Sequence, residues 1–168
     1  MLVTLEEKSY SKPIVAFTGH RPDKIGGYNP NPLQDKIRKA ITDVLIKIQP
    51  EKAISGMALG VDQWAAEICI DLKIPLIAAV PFKGQERIWP QKSKDHYFYL
   101  LDKAAEVKII SDGGYAGWKM NKRNEWMVDN CALLIAVWDG TKGGTSNAVK
   151  YAESINRDTY RIDPCFLK

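Results

Sequence analysis

Three short stretches of this chain set glycine beside side chains that carry hydroxyl, imidazole, guanidinium or carboxylate groups. They are Thr18-Gly19-His20-Arg21-Pro22, Ser55-Gly56-Met57-Ala58-Leu59-Gly60-Val61-Asp62 and Asp139-Gly140-Thr141-Lys142-Gly143-Gly144-Thr145-Ser146-Asn147. In the first, Arg21 can fork two hydrogen bonds onto a phosphate or carboxylate, and His20 is a candidate proton donor. The competing reading is that both only tie the turn to a neighbouring loop. In the second, Ser55 and the glycines offer hydroxyl and backbone donors. Asp62 has two readings, a carboxylate that caps or complements a helix start, or one that holds a ribose hydroxyl. In the third, glycines ahead of a helix leave free N–H groups and the positive dipole end facing the loop. That makes either an anion cradle or an ordinary tight turn. Lys142 is placed to meet an anion, although turn lysines are usually solvated. A fourth group, Tyr115, Trp118, Arg123 and Asn124, sets aromatics beside an arginine, a combination that stacks a base and clamps its phosphate.

The elements that must position these residues alternate in type. Strands are expected at Ile14 to Phe17, Lys52 to Ser55, Pro75 to Val80, Val107 to Ile110 and Ala132 to Trp138, with a last edge strand at Thr159 to Ile162. Leu33, Ile37, Ile41, Val44, Leu45 and Ile48 recur at helical spacing. Further helices are expected over Val61 to Leu72, His96 to Ala105 and Met120 to Asn130, and after a cap at Thr145 or Ser146. Asp23 to Pro32, Lys83 to Lys94 and Asp112 to Trp118 read as loops, and residues 1–12 as a loose lead-in. Trp64, Trp126, Met127 and Trp138 read as core. The fold class is α/β: one Rossmann-like, doubly wound domain over residues 13–168, its mostly parallel sheet flanked by helices. Ligands bind beyond the C-terminal ends of such strands, so the three glycine-bearing exits converge on one rim. Each is weak evidence alone; together they point to a shared pocket.

Composition narrows the classes. A chain of 168 residues, 45% hydrophobic and 26% charged, is ordinary for one globular domain. Cys69 and Cys131 sit in apolar patterns and read as buried thiols of a reducing compartment; Cys165 makes the number odd. Two histidines, His20 and His96, give a zinc site little to work with, and no metal is expected. No signal-peptide core or membrane-length segment is visible, so a cytoplasmic location with no membrane partner is expected. Net charge of +4 suits anionic ligands without requiring nucleic acid.

The junction motifs resemble a known superfamily. Ser55 to Ala66, SGMALGVDQWAA, resembles the SGxAxGxDxxAH stretch of the DNA-processing (Smf/DprA) proteins. Met120-Asn121-Lys122-Arg123-Asn124-Glu125-Trp126-Met127, followed by Gly143-Gly144-Thr145, resembles the second half of the Lonely Guy phosphoribohydrolases. Both belong to the SLOG superfamily. The Thr18 to Pro22 opening and Asn124 to Asp129 most resemble its compact YpsA-like branch, over roughly Ile14 to Ala152. The resemblance implies binding of nucleotides or nucleotide-derived molecules, and association into a homo-oligomer. Members include enzymes that cleave N-glycosidic bonds of nucleoside monophosphates, sensors of NAD-derived or nucleotide signals in prokaryotic conflict systems, and single-stranded DNA binders.

One departure is informative. The phosphoribohydrolases close a PGGxGTxxE motif with a glutamate; alignment here puts Ala148 or Lys150 at that place, although Arg123 matches their arginine. Neither residue supplies the carboxylate that glycosidic cleavage requires. The leading expectation is therefore a sensor or sequestering protein for a phosphate-bearing, nucleotide-derived small molecule (NAD-related, cyclic or a mononucleotide), in a prokaryotic or phage conflict setting and requiring no further cofactor. The alternative is an N-glycosidase that uses Arg123 with a relocated carboxylate, Asp62, Glu125 or Asp139. A second alternative is single-stranded DNA binding.

Overall fold

Short apolar runs between glycine, proline and polar turns become the strands, and stretches of 3.6-residue periodicity become the helices. In the computed structural model, which describes residues 1–168, they alternate along the chain. The strands are β1 (Ile14–Gly19), β2 (Lys52–Ser55), β3 (Leu76–Val80), β4 (Glu106–Ile109), β5 (Leu133–Val137) and β6 (Asp158–Ile162). The helices are α1 (Pro32–Ile48), α2 (Val61–Asp71), α3 (Gln91–Lys103), α4 (Gly117–Asp129) and α5 (Gly144–Ser154), with short 3-10 turns at Pro22–Lys24 and Pro164–Phe166. The six strands form one sheet in the order β4-β3-β2-β1-β5-β6, and every pairing is parallel. The chain moves outward from β1 to β4, then crosses back to lay β5 on the other side of β1. That reversal opens a crevice between the C-terminal ends of β1 and β5.

Alternation along β1 divides the core. Val15 and Phe17 join the larger buried cluster with residues of α1, α2 and α3, among them Ile37, Ile41, Trp64, Ile68 and Leu100. Ala16 enters the smaller cluster on the opposite face with Met127 and Val128 of α4 and Val149 and Ala152 of α5. Helices thus cover both faces, as a parallel sheet requires. Trp64 is core as expected, whereas Trp126 and Trp138 only pack against the smaller cluster from half-buried positions.

Four local features depart from the sequence expectation. Helix α3 begins at Gln91, not His96, because its first turn is polar and solvated and carries no apolar periodicity. Helix α4 begins at Gly117, within the stretch read as loop. Helix α5 is entered through Gly143, with no side-chain cap; Thr145 and Ser146 lie inside its first turn and are buried. The N-terminal residues are tied down rather than loose: Leu2 bridges Thr159 in parallel, and the Val3 amide donates to the Thr159 carbonyl at 3.0 Å. β6 otherwise leaves its outer backbone groups free, and these residues cover part of that edge. No helix is long and apolar enough to cross a membrane.

Candidate functional site

The β1 exit positions two residues with opposite fates. His20 is buried, and its Nε2 lies 2.8 Å from Asp139 Oδ1 and 3.1 Å from the Asp139 amide nitrogen. One ring nitrogen serves one of these at a time, and the carboxylate favours a protonated Nε2. His20 therefore laces the β1 exit to the β5 exit. Arg21, next in sequence, is exposed and makes no side-chain hydrogen bond or ion pair within the chain. Of the two readings open for this pair, tying the turn describes His20 and an available cation describes Arg21.

At the β2 exit the backbone turns sharply. Met57 has φ 62° and Gly60 φ 96°. A Cβ on Gly60 would lie 2.6 Å from the His20 carbonyl oxygen, so only glycine lets this loop pack on the first one. The Ser55 hydroxyl donates to the Asp62 carbonyl at 2.7 Å and accepts from the Met57 amide at 3.2 Å. Asp62, 8% exposed, accepts from the Ala58 amide through Oδ2 at 3.3 Å. Burial pushes its carboxyl upward, opposed by the nearby positive charges of Arg123 and Arg21.

Arg123 reaches the same floor from α4 and is only 3% exposed. Its Nη1 donates to the Gly56 carbonyl at 2.6 Å and the Ala79 carbonyl at 3.2 Å, and its Nε donates to Asn124 Oδ1 at 3.0 Å. Gly56 leaves room for this: a Cβ there would sit 2.6 Å from Nη1 and 2.8 Å from Asp62 Oδ2. Burial pushes the guanidinium below its usual range and Asp62 pulls it back. Nη1 is thus spent on backbone carbonyls and Nε on Asn124, while Nη2 has no hydrogen-bond partner within the chain and Arg123 still lines the site.

The β5 exit closes the site. Asp139 Oδ1 accepts from the Thr141 hydroxyl at 2.6 Å and amide at 3.0 Å as well as facing His20. Those Thr141 bonds, with His20 adding to them, bring its carboxyl down to about 2. Gly143 has φ 149°, and α5 starts directly behind it with uncapped N–H groups.

These exits enclose one cavity of about 350 Å³, within the range of small-molecule sites. Of the residues singled out in the sequence, its walls include Thr18, Gly19, His20 and Arg21 from β1, and Asp62 from α2. They also include Arg123 and Asn124 from α4, and Gly143, Gly144 and Thr145 from the start of α5. The others lie outside it. Ser55, Gly56, Met57 and Gly60 form the packed scaffold behind the floor. Asp139 and Gly140 turn the chain beside the cavity, and Ser146 faces the interior. Asn147 and Glu125 line a neighbouring cleft between α4 and α5 with Lys150 and Tyr151. Glu125 is therefore not a carboxylate of the main cavity. Asp23, Lys24, Ala58, Asn121 and Thr141 line it without having been singled out. Asp23 and Lys24 sit in a stretch that reads as loop, and the 3-10 turn at Pro22–Lys24 brings Lys24 back over the site; Ala58, Asn121 and Thr141 lie inside the sequence motifs but were given no role there. No group of three or more His, Cys, Asp or Glu side chains gathers at metal-binding range.

Comparison with known proteins supplies the kinship. The sequence profile of the YspA SLOG family (YpsA) matches residues 15–165. The chain belongs to this family. It is 33% identical over 153 residues to the SPbeta prophage-derived protein YoqJ of Bacillus subtilis (strain 168), covering 80% of this chain and 89% of that one. It is 29% identical over 165 residues to a UPF0398 protein of Bacillus cereus, covering 89% of each. Among solved structures, the DNA processing protein A of Streptococcus pneumoniae superposes with a TM-score of 0.68 at 19% identity, over 90% of this chain and 50% of that one. That of Helicobacter pylori, described with a single-stranded DNA binding mode, gives 0.65 at 19%, over 90% and 66%. The SLOG fold seen here thus spans only about half the pneumococcal protein, and at these identities the likeness concerns the fold. A SLOG, Rossmann-like fold is consistent with a nucleotide-derived ligand or nucleic acid.

Proposed function

We propose that this SLOG protein binds a phosphate-bearing, nucleotide-derived small molecule as a sensor or sequestering protein. The observation that carries this reading is the pairing of Arg21, exposed and unpartnered, with the uncapped N-terminus of α5 on the wall of one cavity. Free N–H groups, the helix dipole and an available guanidinium together favour a dianionic group. Lys24, whose side chain makes one hydrogen bond, 3.5 Å to the Lys142 carbonyl, and no ion pair, adds a second cation. Asn121, Asn124 and Thr18 supply neutral donors and acceptors suited to sugar hydroxyls. The prophage origin in the name of the Bacillus subtilis relative agrees with a conflict-system setting.

A second reading, N-glycosidic cleavage, is favoured by one feature. Asp62 is a buried carboxyl with a raised pKa on the cavity wall, the kind of group that serves as an acid or base.

Isothermal titration with AMP, NAD and cyclic AMP, alongside chromatography for released base, tests both. Binding without base release, weakened in Arg21→Ala by about 1.5–3 kcal/mol, is the expected result. Released base that vanishes in Asp62→Asn turns the reading to an enzyme. Equal affinity of wild type and Arg21→Ala removes the anion clamp. Tight, salt-sensitive binding of single-stranded DNA with indifference to mononucleotides replaces both readings.

A further inference from the structure

We propose that a second cavity beside the first takes the aromatic base of the same ligand, so that the bound molecule is an intact nucleotide and not a sugar phosphate or simple anion. The inference rests on the anion site above and adds a subsite to it. The second cavity measures about 520 Å³ and shares Arg21 and Met120 with the first, so a single ligand can pass between them. The two differ in chemistry. The first is walled mainly by polar groups, and its one aromatic, Phe17, is fully buried. The second offers Phe82, Trp89, Tyr115 and Ile88. A base in the first would have no exposed ring to stack on; in the second it meets the exposed Tyr115 and the half-buried Trp89.

The wall is built in advance of any ligand. Tyr115 is 80% exposed but stands edge-on to the buried Phe82, with ring centroids 5.9 Å apart and planes at 83°. The loop carrying it is pinned by Lys119 of α4, itself buried, whose Nζ donates to the Asp112 carbonyl at 2.5 Å and the Gly114 carbonyl at 2.7 Å. The opposite wall, residues 81–90, is anchored by buried Gln85, whose Nε2 donates to the Gly56 carbonyl and the Tyr97 hydroxyl, both at 3.3 Å. Ile88, on the same wall, is 93% exposed. Both loops are thus fixed at their bases while presenting apolar and aromatic faces to an open space. The cationic rim of Arg21, Lys83 and Arg87 suits a π-rich ring attached to phosphate, because a planar guanidinium stacks on such a face. Arg21 lies at the junction, where the ribose joins base to phosphate.

The experiment compares ribose 5-phosphate with the 5′-monophosphates of adenosine, guanosine, cytidine and uridine by isothermal titration, on wild type and Tyr115→Ala. The exposed Tyr115 can be truncated without disturbing the core. At least one nucleotide is expected to bind about 5- to 150-fold more tightly than ribose 5-phosphate, the range that base–aromatic stacking carries. Tyr115→Ala is expected to remove most of that advantage while leaving ribose 5-phosphate unchanged. Photolysis with 8-azidoadenosine monophosphate is expected to label peptides containing residues 82–89 or 113–120. If ribose 5-phosphate binds as well as every nucleotide and Tyr115→Ala changes nothing, the base subsite is refuted while the anion site stands. If neither class binds and Arg21→Ala is without effect, the anion site fails and the inference with it. Labelling confined to peptides of the first cavity's far wall also overturns the proposal.

Discussion

Replacing Arg123 by methionine separates a structural tie from a ligand clamp. Methionine keeps much of the aliphatic stem but removes the charge and every donor. The Gly56 carbonyl keeps its bond from Gln85, so the loss falls chiefly on the Ala79 carbonyl and on Asp62, whose buried charge is left with less compensation. A hydrogen bond from a charged donor is worth about 1.5–3 kcal/mol, and Asp62, which makes no direct contact with Arg123, loses only a longer-range attraction. A net destabilisation of about 2–3 kcal/mol is therefore expected, read from urea unfolding with an unchanged slope. Asp62→Asn placed on top should restore part of that loss, because the carboxylate that lost a nearby positive charge is then gone. The pH dependence has a definite sign. The Asp62 carboxyl is raised in the folded protein, so the folded state holds its proton more tightly and this group's contribution falls as pH rises through the folded value. Without Arg123 that value moves further up, and the deficit of Arg123→Met should shrink as pH falls towards the ordinary carboxylate range. A variant that loses under about 1 kcal/mol of stability at neutral pH, yet loses its ligand more than tenfold, would refute this reasoning and return Arg123 to the clamp role.

Gly60→Ala combines a φ of 96° with a Cβ 2.6 Å from the His20 carbonyl, and should cost about 1–3 kcal/mol in urea unfolding because the crowding atom is backbone. Asp139 is held at about 2, against an ordinary 3.8, so its contribution is present above 3.8 and lost as pH falls through about 2. With nearly a quarter of its side chain exposed, it is worth about 1 kcal/mol after screening. Asp139→Ala should therefore flatten the acid limb of stability against pH, and an unchanged acid limb would show that its bonds to Thr141 and His20 carry no stability.

Much of the fold follows from local pattern. The apolar run of β5, the helical spacing from Leu33 to Ile48 and the glycine turns between them specify a βα alternation, and a parallel sheet with helices on both faces is what such alternation packs into. That three glycine-bearing exits share a rim follows from the same rule. Sequence reading missed the first turn of α3, where polar residues carry no periodic signal, and that of α4, which opens on a glycine continuing a glycine-rich loop. It assigned a hydroxyl cap to α5, where glycine lets the chain turn with its N–H groups left open.

The division of labour among the site residues was not legible in one dimension. His20 and Arg21 are neighbours with equal claim to a ligand, yet one is buried against Asp139 and the other stands free. Arg123 matches a family arginine, yet its Nη1 is committed to carbonyls of two other segments and its Nε to Asn124, which leaves only Nη2 without a partner in the chain. Glu125 is two residues away and falls in a different cleft. Residue type and spacing determined which groups were available and which edge of the sheet would present them. Only the tertiary structure decided which were already satisfied, because a donor's partners come from segments far away in the chain, and a group already bonded inside the protein has little left to offer a ligand.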